Sequence, residues 1–189
     1  MSIQILIIPE DPTYNGYILE PIVSRILEKV GKPNAKVKVL PNPKTAGYEH
    51  AKKLLVEQVL ERYSHYDLLL FLPDADGKDR HKEFERLEKE ALKKGVNLFC
   101  CAAKQEVEIW LLSGHLAKLN VRWEKLRAEV SIKEKYFAPF LNEHGDVRRI
   151  GGGRDLLMNA TLQNYSGLLQ RCPELAELEE KIRTLLMKP

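Results

Sequence analysis

Leu68-Leu69-Leu70-Phe71-Leu72-Pro73-Asp74-Ala75-Asp76-Gly77 is the stretch that decides the fold. Five apolar residues stopped by a proline and a turn-forming Asp-Ala-Asp-Gly read as a buried strand. Two more runs read the same way: Ile3-Gln4-Ile5-Leu6-Ile7-Ile8, ahead of Pro9-Glu10, and Val96-Asn97-Leu98-Phe99-Cys100-Cys101, ahead of Glu106 and Glu108. Between the runs lie helical patterns. Ile18, Ile22, Ile26 and Val30 recur at helical spacing until Gly31 and Pro33, and Tyr48 to Tyr63 carries Ala51, Leu54, Leu55, Val59 and Leu60 near one face. Residues 78 to 94 form a charged helix with only Phe84, Leu87, Ala91 and Leu92 as apolar contacts, and Lys36 to Leu40 alternates as an edge strand would. Strand and helix alternate as a parallel sheet requires, so the expected class is α/β with a mainly parallel sheet of about four strands.

Beyond Lys104 no further strand-like run follows. Helical segments are expected at 106–112, 115–119, 132–141, 154–165 and 173–187. The chain therefore divides into an α/β core over 1–104 and a helical extension over 105–189 packed on it. Residues 142–153, with Gly151-Gly152-Gly153 and Arg148-Arg149, are expected to form a mobile loop.

Composition sets the frame. The chain has 189 residues, 44% of them hydrophobic and 30% charged, which suits one domain with a helical annex. A formal charge of +3 is too mild to argue nucleic-acid binding by itself. The three cysteines, Cys100, Cys101 and Cys172, suit buried thiols in a reducing compartment better than a disulfide framework, so a cytoplasmic location is expected. No apolar stretch reaches the roughly 18 residues of a membrane span, and the first residues lack the order of a signal peptide.

Acidic residues fall where an open α/β sheet places its functional crevice, outside the carboxyl ends of the strands. Glu10 follows the first run, Asp74 and Asp76 the third, and Glu108 opens a helix before Ile109-Trp110. In extended backbone, residues i and i+2 project to one side, so Asp74 and Asp76 are expected to face one pocket. Like charges so close repel, and a bound Mg²⁺ or Mn²⁺ would offset the repulsion. The plainer reading makes Asp-Gly a solvated turn, Asp74 or Asp11 a cap, and Glu106 and Glu108 partners of a helix dipole. For Glu106 the dipole reading is preferred.

Candidates for phosphate contact are Lys44, Lys78, Arg80, Arg148, Arg149 and Arg154. The arginines around the glycine run stand out, because glycine lets backbone N–H groups approach a phosphate. A Walker-type loop is absent, as are HExxH, HxxxH and GxSxG, so the chain is not expected to be an ATPase, a zinc protease or a serine hydrolase.

An acid after the first strand, Asp-x-Asp after the third and a βαβα order resemble the Toprim domain of topoisomerases, primases and overcoming-lysogenization-defect nucleases. More narrowly, Glu10-Asp11-Pro12-Thr13, Asp74-Ala75-Asp76, the start of the helix at Glu106-Val107-Glu108-Ile109-Trp110-Leu111-Leu112 and the basic, glycine-rich carboxyl segment resemble a family of small stand-alone Toprim-like proteins. Its members are often encoded beside an AAA-type ATPase in bacterial defence operons. The resemblance implies a Mg²⁺- or Mn²⁺-dependent nuclease acting on DNA or RNA. Glu10, Asp74, Asp76 and Glu108 then match metal positions, Glu10 also serves as a proton acceptor, and Lys44, Lys78, Arg149 or Arg154 meets phosphate. The family's usual second acid, four residues after the first, is here Tyr14, and Asp11 stands where a glycine is common. A weakened metal subsite or a fold retained without turnover would follow from that departure.

Two readings from other classes remain. A receiver-like signalling module would use Glu10, Asp11 and Asp74 around Mg²⁺, but it needs a fifth strand ending in lysine. A non-catalytic partner would bind an ATPase through its helical half.

Overall fold

The computed structural model describes residues 2–187. Four strands, β1 (Gln4–Pro9), β2 (Lys36–Val39), β3 (Leu68–Leu72) and β4 (Leu98–Cys100), form one parallel sheet in the order β2-β1-β3-β4. β1 pairs with β2 from Gln4↔Lys36 to Ile7↔Val39 and with β3 from Ile5↔Leu68 to Pro9↔Leu72, and β4 follows with Leu69↔Leu98. The α/β class and the strand count read from the sequence hold. Among the described residues no fifth strand follows β4, so the lysine-bearing strand of a receiver is missing.

Both faces of the sheet are covered, which explains why β3 reads as an unbroken apolar run. On one face Leu6, Ile8, Leu69, Phe71 and Leu98 meet α2 (Tyr48–Leu54), the π-helical turn Leu55–Val59, α3 (Leu60–Arg62) and α4 (His81–Lys93). On the other, Ile5, Ile7, Leu68 and Leu70 meet α1 (Gly16–Lys29) and the carboxyl-half helices. These are α5 (Glu108–Leu112), α6 (Leu116–Leu119), α7 (Trp123–Ala128), α8 (Ala138–His144), α9 (Arg154–Leu162), α10 (Tyr165–Arg171) and α11 (Pro173–Leu186). Trp110, Phe137, Met158, Leu178 and Ile182 belong to the same apolar cluster as the strand residues. Position 104 thus marks a change of element type inside one continuous core. Each fully buried side chain of this kind contributes about 1.5–3 kcal/mol, so the sheet face and the helical half stabilise each other.

Several local outcomes depart from the sequence reading. The helix expected over 48–63 passes through a π turn, and the one over 132–141 begins with another at Lys133–Phe137. α7 and most of α10 fall outside the helices expected from the sequence. α10 is set off from α9 by Asn164, whose side chain accepts from Gly167 N–H. The triple glycine is a packed turn rather than a free loop. Gly151, Gly152 and Gly153 have φ of +80°, +67° and +82°, and a Cβ on Gly151 would lie 2.6 Å from the Tyr17 ring.

Both sheet edges are guarded. Lys36 and Lys38 are exposed along β2, and at β4 the Glu88 carboxylate accepts from Cys100 N–H at 2.8 Å while pairing with Lys181 at 2.9 Å.

Candidate functional site

The chain moves from β1 outward to β2, then returns past β1 to β3 and continues to β4. Strand order therefore reverses between β1 and β3, and in open α/β sheets the crevice at that reversal, beyond the carboxyl ends, is where ligands bind. Glu10 and Asp74 occupy those two ends. They touch: Asp74 N–H donates to Glu10 Oε2 at 3.1 Å.

The Asp74 turn is held by backbone pairing. Asp74 bridges Ala103 in parallel register, and the N–H groups of Ala75, Asp76 and Gly77 donate to the carbonyls of Ala103, Gln105 and Lys104. That lacing carries residues 103–107 past the acid, so Val107 N–H donates to Asp74 Oδ1 at 2.8 Å. The next residue, Glu108, opens α5 and lies 1% exposed. Its Oε1 is 3.4 Å from Lys133 Nζ, and its buried Oε2 has no partner. Lys133 is also fixed through its backbone, because Glu106 Oε2 accepts its N–H at 2.9 Å.

Crowded carboxylates in a poorly solvated place resist ionisation. Burial, followed by the charges of Glu108 and Glu10, pushes Asp74 up to about 8 against the pull of the Val107 N–H. Glu10 is also raised, first by burial and then by Asp76, with the Asp74 N–H bond, Arg80 and Lys133 opposing. Burial likewise raises Glu106. For Lys133 burial acts downward, but Glu108, Glu106 and Asp74 together outweigh it and hold the ammonium above its ordinary value.

Arg154 flanks the cluster from α9. Its guanidinium lies 4.4 Å from the Tyr14 ring centroid and 5.3 Å from that of Phe137, and Nη1 donates to Gly151 O at 2.7 Å. Burial lowers its pKa, while Glu108, Tyr14 and Asp11 act the other way. Arg80 approaches Glu10 from α4's side, stacked 3.6 Å over Tyr48.

Other expected site residues lie elsewhere. Asp76 does not share a pocket face with Asp74: its φ is +51°, so the extended alternation breaks there and the side chain is exposed, although its charge still reaches Glu10. Lys44 is exposed and makes no ion pair among the described residues, while neighbouring Thr45 ties its loop to β1 by donating to Pro9 O at 2.9 Å. Lys78 lines a cavity of about 470 Å³ beside Arg80, Lys104, Arg127 and Lys181, whose walls include none of Glu10, Asp74 and Glu108. Arg149 is occupied by Asp155 at 2.8 Å and Arg148 by Asp146 at 3.1 Å. Of Arg154, Arg149 and Lys78, only Arg154 faces the acids.

Lys133 was missed from the sequence because it sits 25 residues beyond Glu108 in no recognisable motif. A lysine inside the charged triplet Lys133-Glu134-Lys135 looks like any solvated helix residue.

All-oxygen donors with one unpartnered buried atom suit a hard divalent cation in kind. Among the described residues, however, no three Asp, Glu, His or Cys side chains close around a common point. Here the carboxylates are held by N–H donors and by Lys133, and Glu10, Asp74 and Glu108 are the ones that would hold an ion.

No family model, no curated protein and no solved structure matches this chain.

Proposed function

We propose that the protein is a divalent-metal-dependent phosphodiesterase of Toprim type, acting on DNA or RNA at the cluster of Glu10, Asp74 and Glu108. The observation that carries this reading is the buried acidic crowd at the switch point, where burial and the charges of Glu108 and Glu10 push Asp74 up to about 8 even with Lys133 close by. An acid perturbed by burial and by specific neighbouring charges, set in a crevice, is the kind of group that functional sites are built from.

Bound Mg²⁺ or Mn²⁺ would act as a Lewis acid on a phosphoryl oxygen. The remaining roles fall to the chain itself. Glu10, partly exposed and raised in pKa, is suited to accept a proton from the attacking water. Arg154, held rigidly by two rings and a carbonyl, offers its guanidinium to the charge that develops on phosphate. Lys44 can join from its loop only by reaching in from solvent. An AAA-type ATPase partner, a phage-defence role and a cytoplasmic location extend the proposal and rest on the family resemblance and the free buried cysteines. Among the described residues no helix is long and apolar enough to cross a membrane.

A second reading, a non-catalytic partner subunit, draws on the Lys133–Glu108 pair and on Tyr14 standing where the resemblance calls for an acid. Plasmid nicking with Mn²⁺ separates the two. Wild type should nick, and Asp74→Asn and Glu10→Gln should lose nicking while still folding. Nicking that survives in both variants removes this site from the chemistry, and a wild type that neither binds Mn²⁺ nor cuts leaves the second reading.

A further inference from the structure

Building on the cation reading above, we propose that Lys133 is an internal plug of the acidic site: its ammonium and a divalent cation compete for the buried Glu108 carboxylate, and the ion enters as Lys133 withdraws.

Three observations carry this. The Glu108 side chain is 1% exposed, one oxygen faces Lys133 Nζ at 3.4 Å, and the other has no partner. A well-made ammonium–carboxylate contact is about 2.7–2.9 Å, so the pair is loose and leaves half of the carboxylate unused. Such a buried oxygen costs desolvation energy until a stronger cation takes it.

Lys133 also has an exit. Its side chain is 41% exposed, and its stem is four flexible carbons long. Its backbone need not move, since the Lys133 N–H remains on Glu106 Oε2. The other two cations facing the acids lack such freedom. Arg154 is clamped by Tyr14, Phe137 and Gly151 O, and Arg80 by Tyr48 and Glu83. Lys133 further opens a π-helical turn, a local geometry found frequently at functional sites.

A monovalent ammonium and a divalent ion cannot share so small a volume, because their repulsion at about 4 Å is of the same order as either attraction. Removing the ammonium should therefore tighten cation binding, whereas a lysine that merely supports the fold would leave it unchanged or weaker.

The test is Mn²⁺ affinity, read from the free-ion EPR signal, in wild type, Lys133→Met and Asp74→Asn. Lys133→Met should bind Mn²⁺ about tenfold more tightly than wild type, and Asp74→Asn should bind weakly. Because Lys133→Met leaves Glu108 unpaired and could unfold the chain, wild type supplies an independent readout. Acetylation of Lys133, followed by mass spectrometry, should accelerate when Mn²⁺ saturates the site. Equal or weaker Mn²⁺ binding by a folded Lys133→Met, or acetylation that Mn²⁺ slows or leaves alone, overturns the plug while the cation site stands. Absence of Mn²⁺ binding in both wild type and Lys133→Met overturns the site and the plug together.

Discussion

Replacing Asp74 by Asn should stabilise the metal-free protein, with a gain that depends on pH. Asn keeps the shape and an oxygen to accept from Val107 N–H, but it cannot ionise. In the wild type, burial and the charges of Glu108 and Glu10 raise Asp74 from 3.8 to about 8. Between those values the folded chain holds a proton that the unfolded chain has released, so wild-type stability falls as pH rises through the window and levels off on either side. One proton of difference is worth about 1.36 kcal/mol per pH unit, which sets a ceiling of roughly 4 kcal/mol at pH 7. Sharing of the proton among three acids and dielectric relaxation reduce this, so a gain of about 2–3 kcal/mol is expected. For a chain of this length that is a rise in Tm of about 5–10 °C. Thermal melts with EDTA from pH 4 to pH 9 measure it directly. The difference between variant and wild type should be near zero at pH 4 and grow to a plateau above pH 8. A gap that stays constant with pH, or a variant that melts lower at pH 7, refutes the electrostatic account of the cluster.

Two further outcomes test the scaffold around the site. Gly151→Ala should destabilise the chain by about 2 kcal/mol or more in denaturant titration, because φ is +80° there and the new methyl would press on the Tyr17 ring; an unchanged midpoint would show that the glycine turn is not seated on α1. Glu174→Ala should cost about 1–3 kcal/mol, since Arg127, 2.8 Å away, and the Trp110 indole N–H, 3.0 Å away, would both lose a half-buried partner. A loss below about 0.5 kcal/mol would place that pair among ordinary surface ion pairs.

Sequence by itself determined the elements and their class. Leu68 to Leu72 and Ile5 to Ile8 are buried on both faces whatever packs on them, so continuous apolar runs identify strands of a covered parallel sheet, and the acids after Pro9 and Pro73 mark strand ends. Tertiary structure alone decided which ends are neighbours. The reversal of strand order between β1 and β3 sets Glu10 against Asp74, and the lacing of the 74–77 turn to residues 103–105 brings Val107 and Glu108 in behind. It also turned Asp76 outward through a left-handed backbone, matched Arg148 and Arg149 with aspartates, and brought Lys133 to Glu108. The physical reason is that periodicity records which face of an element is buried, a local property. The partner that covers the face, and the charge that meets a given carboxylate, depend on contacts between residues far apart in the chain, which no local pattern encodes.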